Sequence, residues 1–443
     1  MASKDDKLFV CSKCDAQFSK WSGRCASCES WGTVAEAINT TKGGGIKPAS
    51  IVKGSQIKAA EEIKRLATGI SELDRVFGGG LVPGSLILLG GEPGIGKSTI
   101  AAQIAQALPA GKTVVYASGE ESIEQIALRL SRLGCDVNRL DFIGETEVEA
   151  ITSALVPAPP DLLIIDSIQT LRAGSEAGEA GSLGQIRATT VKLLEFAKKR
   201  QTAVLIIGHI TKDGQIAGPK TLEHLVDTVI YLESDASQTY RIMRTSKNRF
   251  GSTNEVGVFE MTGGGLSPVD NPASLFLETG DSSVPGAAIS AVMEGTRPFL
   301  AEVQALTGKT IFGYPQRRSS GFDANRLQVL AAVMMKRARL NLSAHDIILN
   351  VVGGLKVADP GLDLAVCMAI ASSMADKPIS RQTIILGEVG LGGEIRPVPR
   401  LELKLKEAAK LGFTRAIVPK SDLQIKGIEI RPIKTLSEAL SLL

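Results

Sequence analysis

The sequence predicts an α/β protein whose central domain is built on a largely parallel sheet. Between about residues 58 and 265, short apolar runs alternate with amphipathic stretches, as in SLILLGG, TIAAQIAQAL, TVVYAS, IEQIALRLSRL and DLLIIDS. Strand and helix signals that alternate in this way indicate βαβ units and parallel strands. Glycine reaches 46 residues whereas aromatic residues make up only 4% of the chain. That composition favours many tight turns over an all-β fold.

Length and composition narrow the class of protein further. A chain of 443 residues is long enough for about three domains. Hydrophobic residues at 44% and charged residues at 22% are typical of a globular protein. No apolar run approaches the roughly 18 residues of a membrane span, and the N-terminus lacks the apolar core of a signal peptide. We therefore expect a soluble, cytoplasmic protein without a membrane partner.

Changes of composition along the chain predict four segments. Four of the six cysteines and both tryptophans lie in residues 1–34, and a Gly/Ser/Thr-rich stretch, residues 35–57, has the composition of a linker. The central α/β domain is expected at residues 58–270. Three consecutive glycines, residues 263–265, precede two prolines near its end. The last domain, residues 271–443, mixes strands and helices.

Two Cys-x₂-Cys pairs in the first segment predict a structural zinc site. Each pair presents two thiolates to one tetrahedral ion. So short a segment has too little apolar area to fold without a metal ion or another cross-link. Disulfides or a redox site are the alternatives. Trp21 and Trp31 are positioned to cover the metal. The expected Zn²⁺ ligands are Cys11, Cys14, Cys25 and Cys28.

The segment GEPGIGKST matches the phosphate-binding pattern G-x-x-x-x-G-K-[ST], with an apolar strand before it and an amphipathic helix after it. Glycines let the backbone curl around a phosphate, and the helix N-terminus adds partial positive charge. Lys97 is expected to reach the β- and γ-phosphates of ATP, and Ser98 to ligate Mg²⁺. The predicted nucleotide-binding residues are Gly91, Glu92, Pro93, Gly94, Ile95, Gly96, Lys97, Ser98 and Thr99.

Acidic residues at other strand ends complete the predicted catalytic site. Asp166 ends the run LLIID and is expected to hold the Mg²⁺ shell. Glu120 or Glu121, after TVVYAS, is the candidate for positioning the attacking water, although both also suit a helix N-terminus. His209 ends another apolar run. It is either a sensor of the γ-phosphate or a structural histidine.

Together with KNRFG at residues 247–251, these motifs resemble the RecA/DnaB-type motor ATPases and, with the flanking domains, the bacterial RadA (Sms) family of DNA-recombination proteins. The resemblance implies a RecA-like ATPase core behind a zinc ribbon, in a homohexamer around single-stranded DNA. It implies a DNA-dependent ATPase and helicase that promotes branch migration, with the recombinase RecA as a partner. It assigns catalysis to Glu120, and it implies that Lys247 and Arg249 reach the ATP of the neighbouring subunit.

DNA contacts are expected from basic residues in two glycine-rich stretches and in the last domain. The stretches 172–187 and 211–220 each follow a predicted strand and offer flexible backbone; ordinary loops are the alternative. Residues 309–345 carry seven basic side chains and one acidic one, a pattern that suits a phosphate backbone or a solvated face. The candidate DNA contacts are Arg172, Arg187, Lys212, Lys220, Arg317 and Arg318.

The last domain resembles the α+β proteolytic domain of Lon proteases through segments such as GGLKVADPGLDLAVCMAIASS and LELKLKEAAKLGFTRAIVP. That family uses a Ser–Lys dyad, in which the lysine accepts the proton of the serine. Lys404 falls at the lysine position, but Gly361 falls at the serine position and carries no nucleophile. We therefore expect a scaffold without proteolysis. Beside the motor, a nucleotide-switched DNA-binding scaffold and an ATP-dependent protease are the alternative functions.

Overall fold

The structure of the chain, a computed structural model, describes residues 9–13, 16–36, 64–209, 222–234, 239–269, 277, 283–311, 313–354 and 357–443. It divides into two compact units. The first comprises Met1–Leu232, Ser246–Gly251 and Gly263–Gly265, and the second comprises Glu233–Thr245, Ser252–Thr262 and Leu266–Leu443. Within the described ranges, no helix combines the length and apolarity that crossing a membrane requires.

A small antiparallel sheet opens the first unit. Its three short strands have the order β2-β1-β3, and they are β1 (Phe9–Cys11), β2 (Gln17–Phe18) and β3 (Val34–Glu36). Among the described residues of this module, the buried core consists of Cys11, Cys25 and Val34. Such a core cannot stabilise a fold by apolar burial alone.

A nine-stranded sheet follows, with five helices in the same part of the chain. The helices are α1 (Ser71–Phe77), α2 (Lys97–Ala107), α3 (Ile123–Arg132), α4 (Val148–Leu155) and α5 (Leu183–Arg200). The strands are β4 (Leu86–Gly91), β5 (Val114–Ser118), β6 (Asp141–Ile143), β7 (Leu162–Asp166), β8 (Ala203–His209), β9 (Thr228–Ser234), β10 (Tyr240–Asn248), β11 (Val256–Thr262) and β12 (Gly265–Pro268).

The sheet order is β12-β11-β10-β9-β4-β8-β7-β5-β6, and the pairs from β9 to β6 are parallel. Every residue of β4, β5 and β7 is buried. Continuous apolar runs are what parallel strands need when both faces of the sheet are covered. The predicted α/β class, with a largely parallel sheet, is confirmed.

The second unit includes most of β10, all of β11 and most of β12, and it contains the remaining strands and helices. Its helices are α6 (Ala324–Arg337), α7 (Asp363–Ala375), α8 (Leu401–Lys410) and α9 (Leu436–Leu440). Its strands are β13 (Ala287–Glu294), β14 (Arg297–Lys309), β15 (Arg317–Ser320), β16 (His345–Val351), β17 (Thr383–Ile385), β18 (Glu388–Val389), β19 (Ile395–Arg396), β20 (Arg415–Pro419) and β21 (Glu429–Ile433).

Seven of these strands form a mixed sheet of order β15-β16-β14-β13-β17-β20-β21, and β18 pairs with β19. Helix α7 is buried from Asp363 through Ser372 and belongs to the main apolar core of this unit. A helix that is apolar on all sides can be stable only when it is enclosed. The unit therefore has the α+β organisation that the sequence predicted.

Candidate active site

The candidate site lies where four neighbouring parallel strands end. The phosphate-binding loop follows β4, Glu120 follows β5, Asp166 ends β7 and His209 ends β8. Strands β4, β8, β7 and β5 are consecutive in the sheet, so their carboxyl ends lie side by side. In doubly wound sheets this edge is the usual place for a ligand. The residues that were predicted to form one site are thus brought to one edge.

Lys97 is the buried cation of the loop. Its side chain is folded back, and Nζ donates to the carbonyl oxygens of Gly91 at 3.0 Å and Glu92 at 2.8 Å. Burial lowers the pKa of Lys97, whereas Asp166 and Glu120 act in the opposite direction. An ammonium has three N–H donors. With two donors fixing the side chain on the loop, the third is available to a phosphate oxygen.

The glycines of the loop are needed for its path. Gly94 and Gly96 have φ values of +74° and +111°, a region that residues with a Cβ rarely adopt. At Gly91 a Cβ would lie 2.6 Å from the carbonyl oxygen of Leu232. The chain can therefore turn from β4 into α2 only with glycine at these positions.

A pocket of about 230 Å³ opens beside the loop. It combines a buried ammonium, a hydroxyl and several carboxylates, which are the groups that suit a triphosphate with its Mg²⁺. Ser98 and Asp166 would hold the metal. The residues that line the pocket are Gly94, Gly96, Lys97, Ser98, Thr99, Glu120, Glu121, Arg129, Asp166 and His209.

The structure distinguishes the two adjacent glutamates. Glu121 forms a close ion pair with Arg129 of α3. The side chain of Glu120 is 51% exposed, and its Oε2 lies 3.5 Å from Nε2 of His209. Both glutamates line the pocket, but Glu121 is paired with Arg129 whereas Glu120 lies beside His209. Of the two, Glu120 is the one placed to orient a water.

Tyr116 and Arg129 belong to the site but were not predicted. The phenol of Tyr116 donates to Oδ2 of Asp166, and Arg129 Nη2 donates to the phenol oxygen at 2.9 Å. Burial and the carboxylate of Asp166 raise the pKa of Tyr116, so the phenol remains a donor. Tyr116 reads as an ordinary strand residue. The signal in the sequence was its place two residues before the end of β5.

Lys247 and Arg249 lie at the opposite edge of the sheet. Lys247 Nζ donates to the carbonyl oxygens of Glu223 and Val226, and Arg249 Nη1 lies 3.4 Å from Oδ1 of Asp227. Asp227 accepts a hydrogen bond from the backbone N–H of Leu86, the first residue of β4. Gly91, which begins the phosphate-binding loop, is the last residue of the same strand.

A strand rises about 3.3 Å per residue, so the six residues of β4 separate the two edges by roughly 16 Å. Within one chain, Lys247 and Arg249 are therefore not brought to the pocket.

The stretch from Arg172 to Arg187 is more ordered than the predicted flexible loop. Gln185 is buried, and its amide binds the backbone of Ala173 and Glu176. Arg187 lies on α5, because the helix starts at Leu183. The prediction of a flexible loop is wrong here, because composition does not reveal a buried glutamine that holds the turn. Both arginines are exposed. Lys212 and Lys220 lie outside the described residues.

In the second unit, Arg317 and Arg318 lie on β15, the edge strand of the mixed sheet. Arg318 is exposed, and Arg317 is partly buried. The basic stretch that contains them is not uniformly a surface. Arg326 is an internal ion-pair partner of Asp363 and also donates to the carbonyl oxygen of Val389 at 2.9 Å. Arg326 therefore does not belong to a DNA-facing surface.

Gly361 and Lys404 are neighbours in space, as the resemblance to Lon proteases implies. A Cβ on Gly361 would lie 3.3 Å from Nζ of Lys404. Lys404 is completely buried, and its Nζ lies 2.6 Å from Oδ2 of Asp359. Gly361 has no side-chain oxygen that could act as a nucleophile, and Lys404 forms an ion pair with Asp359. These two residues therefore do not form a Ser–Lys dyad.

The cysteine module fits a zinc ion. The Sγ atoms of Cys11, Cys25 and Cys28 all lie within 4.8 Å of one another, and those of Cys11 and Cys28 are 3.7 Å apart. Tetrahedral zinc with bonds of about 2.3 Å holds sulfurs about 3.8 Å apart. The fourth predicted ligand, Cys14, lies outside the described residues. Both tryptophans are more than half exposed.

Three family models match the chain. Residues 53–215 match the AAA domain, residues 9–36 match a rubredoxin metal-binding domain, and residues 307–422 match subunit ChlI of Mg-chelatase. The range matched to the AAA domain contains all the residues that line the pocket. The match therefore supports ATP hydrolysis in this pocket, with nucleotide and Mg²⁺ as cofactors. The rubredoxin-type domain contains the cysteine cluster and supports zinc. The predicted fold class is confirmed.

Similar proteins extend over the whole chain. "DNA repair protein RadA" of Streptococcus pyogenes serotype M3 is 45% identical over 450 residues, covering 99% of each chain. The protein of that name from Escherichia coli K12 is 42% identical over 455 residues, covering 100% of this chain and 99% of its own. A solved structure, the RadB recombinase, is 23% identical with a TM-score of 0.38, covering 46% of this chain and all of its own.

Proposed function

The chain belongs to the family of DNA repair protein RadA, and from this premise we propose that it is a DNA-dependent ATPase that translocates on single-stranded DNA. Its work is branch migration of recombination intermediates in homologous recombination and repair. The observation that carries the proposal is the distribution of catalytic groups over two opposite edges of one sheet. A motor that couples hydrolysis to movement between subunits needs such a division.

At the pocket edge, each residue has a distinct role. Lys97 binds the β- and γ-phosphates, and Ser98 and Asp166 hold Mg²⁺. Bound Mg²⁺ supplies neutralisation of the phosphate charge. Glu120 orients the attacking water, with His209 beside it as the group that senses the γ-phosphate. Glu121 is excluded from that role by its ion pair with Arg129.

At the other edge, Lys247 and Arg249 act on the nucleotide of a neighbouring subunit. The side chain of Arg249 is 57% exposed although it is anchored by Asp227. An arginine supplied across an interface neutralises charge that develops on the γ-phosphate, and in comparable enzymes such a residue accelerates turnover by about 10³–10⁵-fold. We infer a closed homohexameric ring in which every ATP site is shared between two subunits.

The first experiment measures ATP turnover with and without single-stranded DNA, together with oligomer mass in the same buffers. Wild-type protein should form rings and show DNA-stimulated turnover, and Lys97→Ala should abolish turnover. Lys199→Ala, which removes an exposed lysine of α5, is the matched control and should behave as wild type. Turnover that persists in Lys97→Ala would show that the site is misassigned. Slow turnover that ignores DNA would point to a nucleotide-switched scaffold.

A subunit-mixing experiment tests the shared site. Lys97→Ala chains keep an intact Arg249, and Arg249→Ala chains keep an intact Lys97. Each variant alone should be inactive, and a mixture should regain turnover because some interfaces combine the two intact halves. If Arg249 served its own pocket, every chain in the mixture would carry a lesion, and mixing would restore nothing.

The DNA contacts are proposed at Arg172 and Arg187 in the first unit and at Arg317 and Arg318 in the second, with backbone phosphates as the target. Replacing Arg318, which is exposed on an edge strand, should weaken DNA binding at all sequences alike. We also propose that Lys212 and Lys220 contact DNA, that the protein binds the recombinase RecA, and that Cys14 is the fourth zinc ligand. We propose that the chain divides at residues 34, 57 and 270 into a zinc ribbon, a linker, a motor domain and a Lon-like scaffold.

A further inference from the structure

Arg129 contacts two of the three acidic residues of the pocket, Glu121 and Asp166. It lies on α3, whose start is fixed by a capping box: Ser122 Oγ accepts from the N–H of Gln125, and the Gln125 side chain accepts from the N–H of Ser122. Ile126 and Leu130 anchor the same helix in the core. The guanidinium is therefore presented by a rigid element, with only 13% of its side chain exposed.

The contacts of Arg129 form a chain through the site. One end of the guanidinium pairs with Glu121. Nη2 donates to the phenol of Tyr116 and lies 3.7 Å from Oδ2 of Asp166, and the phenol donates to the same oxygen. Both contacts of the Asp166 carboxylate thus go to Oδ2. Among the described residues, Oδ1 has no hydrogen-bond partner and remains available to a metal.

The charges in the pocket explain why this arrangement is useful. Its three carboxylates, on Glu120, Glu121 and Asp166, outnumber the cations of Lys97 and Arg129. Three convergent carboxylates would form a ligand set for a divalent cation without any nucleotide. A metal bound in that way would occupy the place where the nucleotide brings its own Mg²⁺.

We propose that Arg129 is a positioning residue that makes Mg²⁺ binding dependent on nucleotide. It holds Glu121 in an ion pair and places positive charge beside Asp166, so the carboxylates cannot bind the metal together. Through Tyr116 it also fixes Asp166 with Oδ1 free as the single protein carboxylate for the metal that arrives with the phosphates. This inference rests on the proposed ATPase function and specifies its metal step.

Two substitutions should shift metal affinity in opposite directions. Arg129→Met removes the charge, releases Glu121 and should raise the affinity for free Mn²⁺ at least about tenfold, because an opposite charge within 4–6 Å competes strongly for a carboxylate. Tyr116→Phe keeps the ring but removes the bond to Asp166. It should lower Mn²⁺ affinity in the nucleotide complex by about 10–100-fold, the usual effect of losing a partner that orients a metal ligand.

The experiment titrates Mn²⁺ into the full-length protein by electron paramagnetic resonance, with and without a non-hydrolysable ATP analogue. Arg129→Lys keeps the charge and should restore the exclusion of free metal. Arg132→Met, an exposed arginine of the same helix, is the matched control and should titrate as wild type. The Mg²⁺ concentration that gives half-maximal ATP turnover provides a second readout. It should rise in Tyr116→Phe, whereas a merely structural defect would lower maximal turnover alone.

The proposal is overturned if Arg129→Met binds free Mn²⁺ no more tightly than wild type and Arg132→Met do. It is equally overturned if Tyr116→Phe leaves Mn²⁺ affinity in the nucleotide complex unchanged. The ATPase assignment fails separately: if Lys97→Ala retains full turnover while the Mn²⁺ titrations shift as expected, the metal control is real and the catalytic assignment is wrong. Because Tyr116→Phe removes one oxygen, it provides a test even if Arg129→Met does not fold.

Discussion

The buried ion pair between Lys404 and Asp359 allows a stability prediction with a definite size. Lys404 has no exposed surface, and the side chain of Asp359 is 15% exposed. Asp359 also accepts hydrogen bonds from the backbone N–H groups of Gly361 at 2.8 Å and Met293 at 3.3 Å. Asp359→Ala would leave a buried cation without a partner. Removing one member of a buried pair costs about 3–5 kcal/mol, and we expect a loss of that size.

The reverse substitution should be far milder. Lys404→Met replaces the cation by an apolar chain of similar length, so the burial of α8 is kept. Asp359 retains its two backbone donors and its partial exposure to water. Replacing a buried charge by a well-packed apolar side chain is often close to neutral, and we expect a loss of about 1 kcal/mol or less.

The assay follows hydrogen exchange of peptides from α7 during thermal unfolding of the full-length protein, because this buried helix reports on the second unit. For a unit of this size, 1 kcal/mol corresponds to about 2–4 °C in midpoint. Asp359→Ala should therefore lower the midpoint by roughly 6–20 °C, and Lys404→Met by only a few degrees. Equal losses in the two variants, or a larger loss in Lys404→Met, would refute the interpretation that Asp359 stabilises the fold by compensating the buried charge of Lys404.

Three further predictions concern the other sites. Cys11→Ser should release zinc and unfold the N-terminal module, seen as metal in a chromogenic chelator assay and rapid proteolysis before residue 64. Because burial lowers the pKa of Lys97, alkaline solutions contain part of this amine in neutral form, and phosphate binding should restore its proton. Calorimetry in buffers of different ionisation enthalpy should detect proton uptake on nucleotide binding in alkaline buffer below the ordinary lysine pKa of about 10.4, and its absence would contradict a buried Lys97 in the free protein. Gly361→Ser should leave casein intact in the presence of ATP, because Lys404 already donates to Asp359. Cleavage of casein would show that the absence of a serine hydroxyl at this position is the sole reason for the lack of proteolysis.

The sequence predicted the pocket edge because strand ends obey a simple rule. Asp166, His209 and the phosphate-binding loop each follow an apolar run, and parallel strands bring such ends together. The choice between Glu120 and Glu121 could not be made in the same way. It depends on Arg129, a residue of α3 that lies eight positions after Glu121 and forms an ion pair with it. No sequence motif predicts that ion pair.

Charge counts predicted surfaces less well than motifs predicted the pocket. Arg326 was counted in a basic stretch, yet it is paired with the buried carboxylate of Asp363. The glycine-rich stretch after Arg172 was taken as flexible, yet Gln185 holds it by three hydrogen bonds to backbone groups at Ala173 and Glu176. In both cases the outcome depends on one specific side-chain contact, 37 positions along the chain for Arg326 and 12 for Gln185, and composition carries no information about such contacts.

One buried strand joins the two edges that the proposed mechanism uses. Gly91 at the end of β4 opens the phosphate-binding loop, and Leu86 at its start is hydrogen-bonded to Asp227, which anchors Arg249. Because every residue of β4 is buried, a shift of the loop cannot be absorbed by a loose surface segment between them. In the proposed ring, the nucleotide of one site would thus act on the arginine offered to the next. An isolated monomer holds the two halves of different sites, so its hydrolysis should be slow whatever its affinity for ATP.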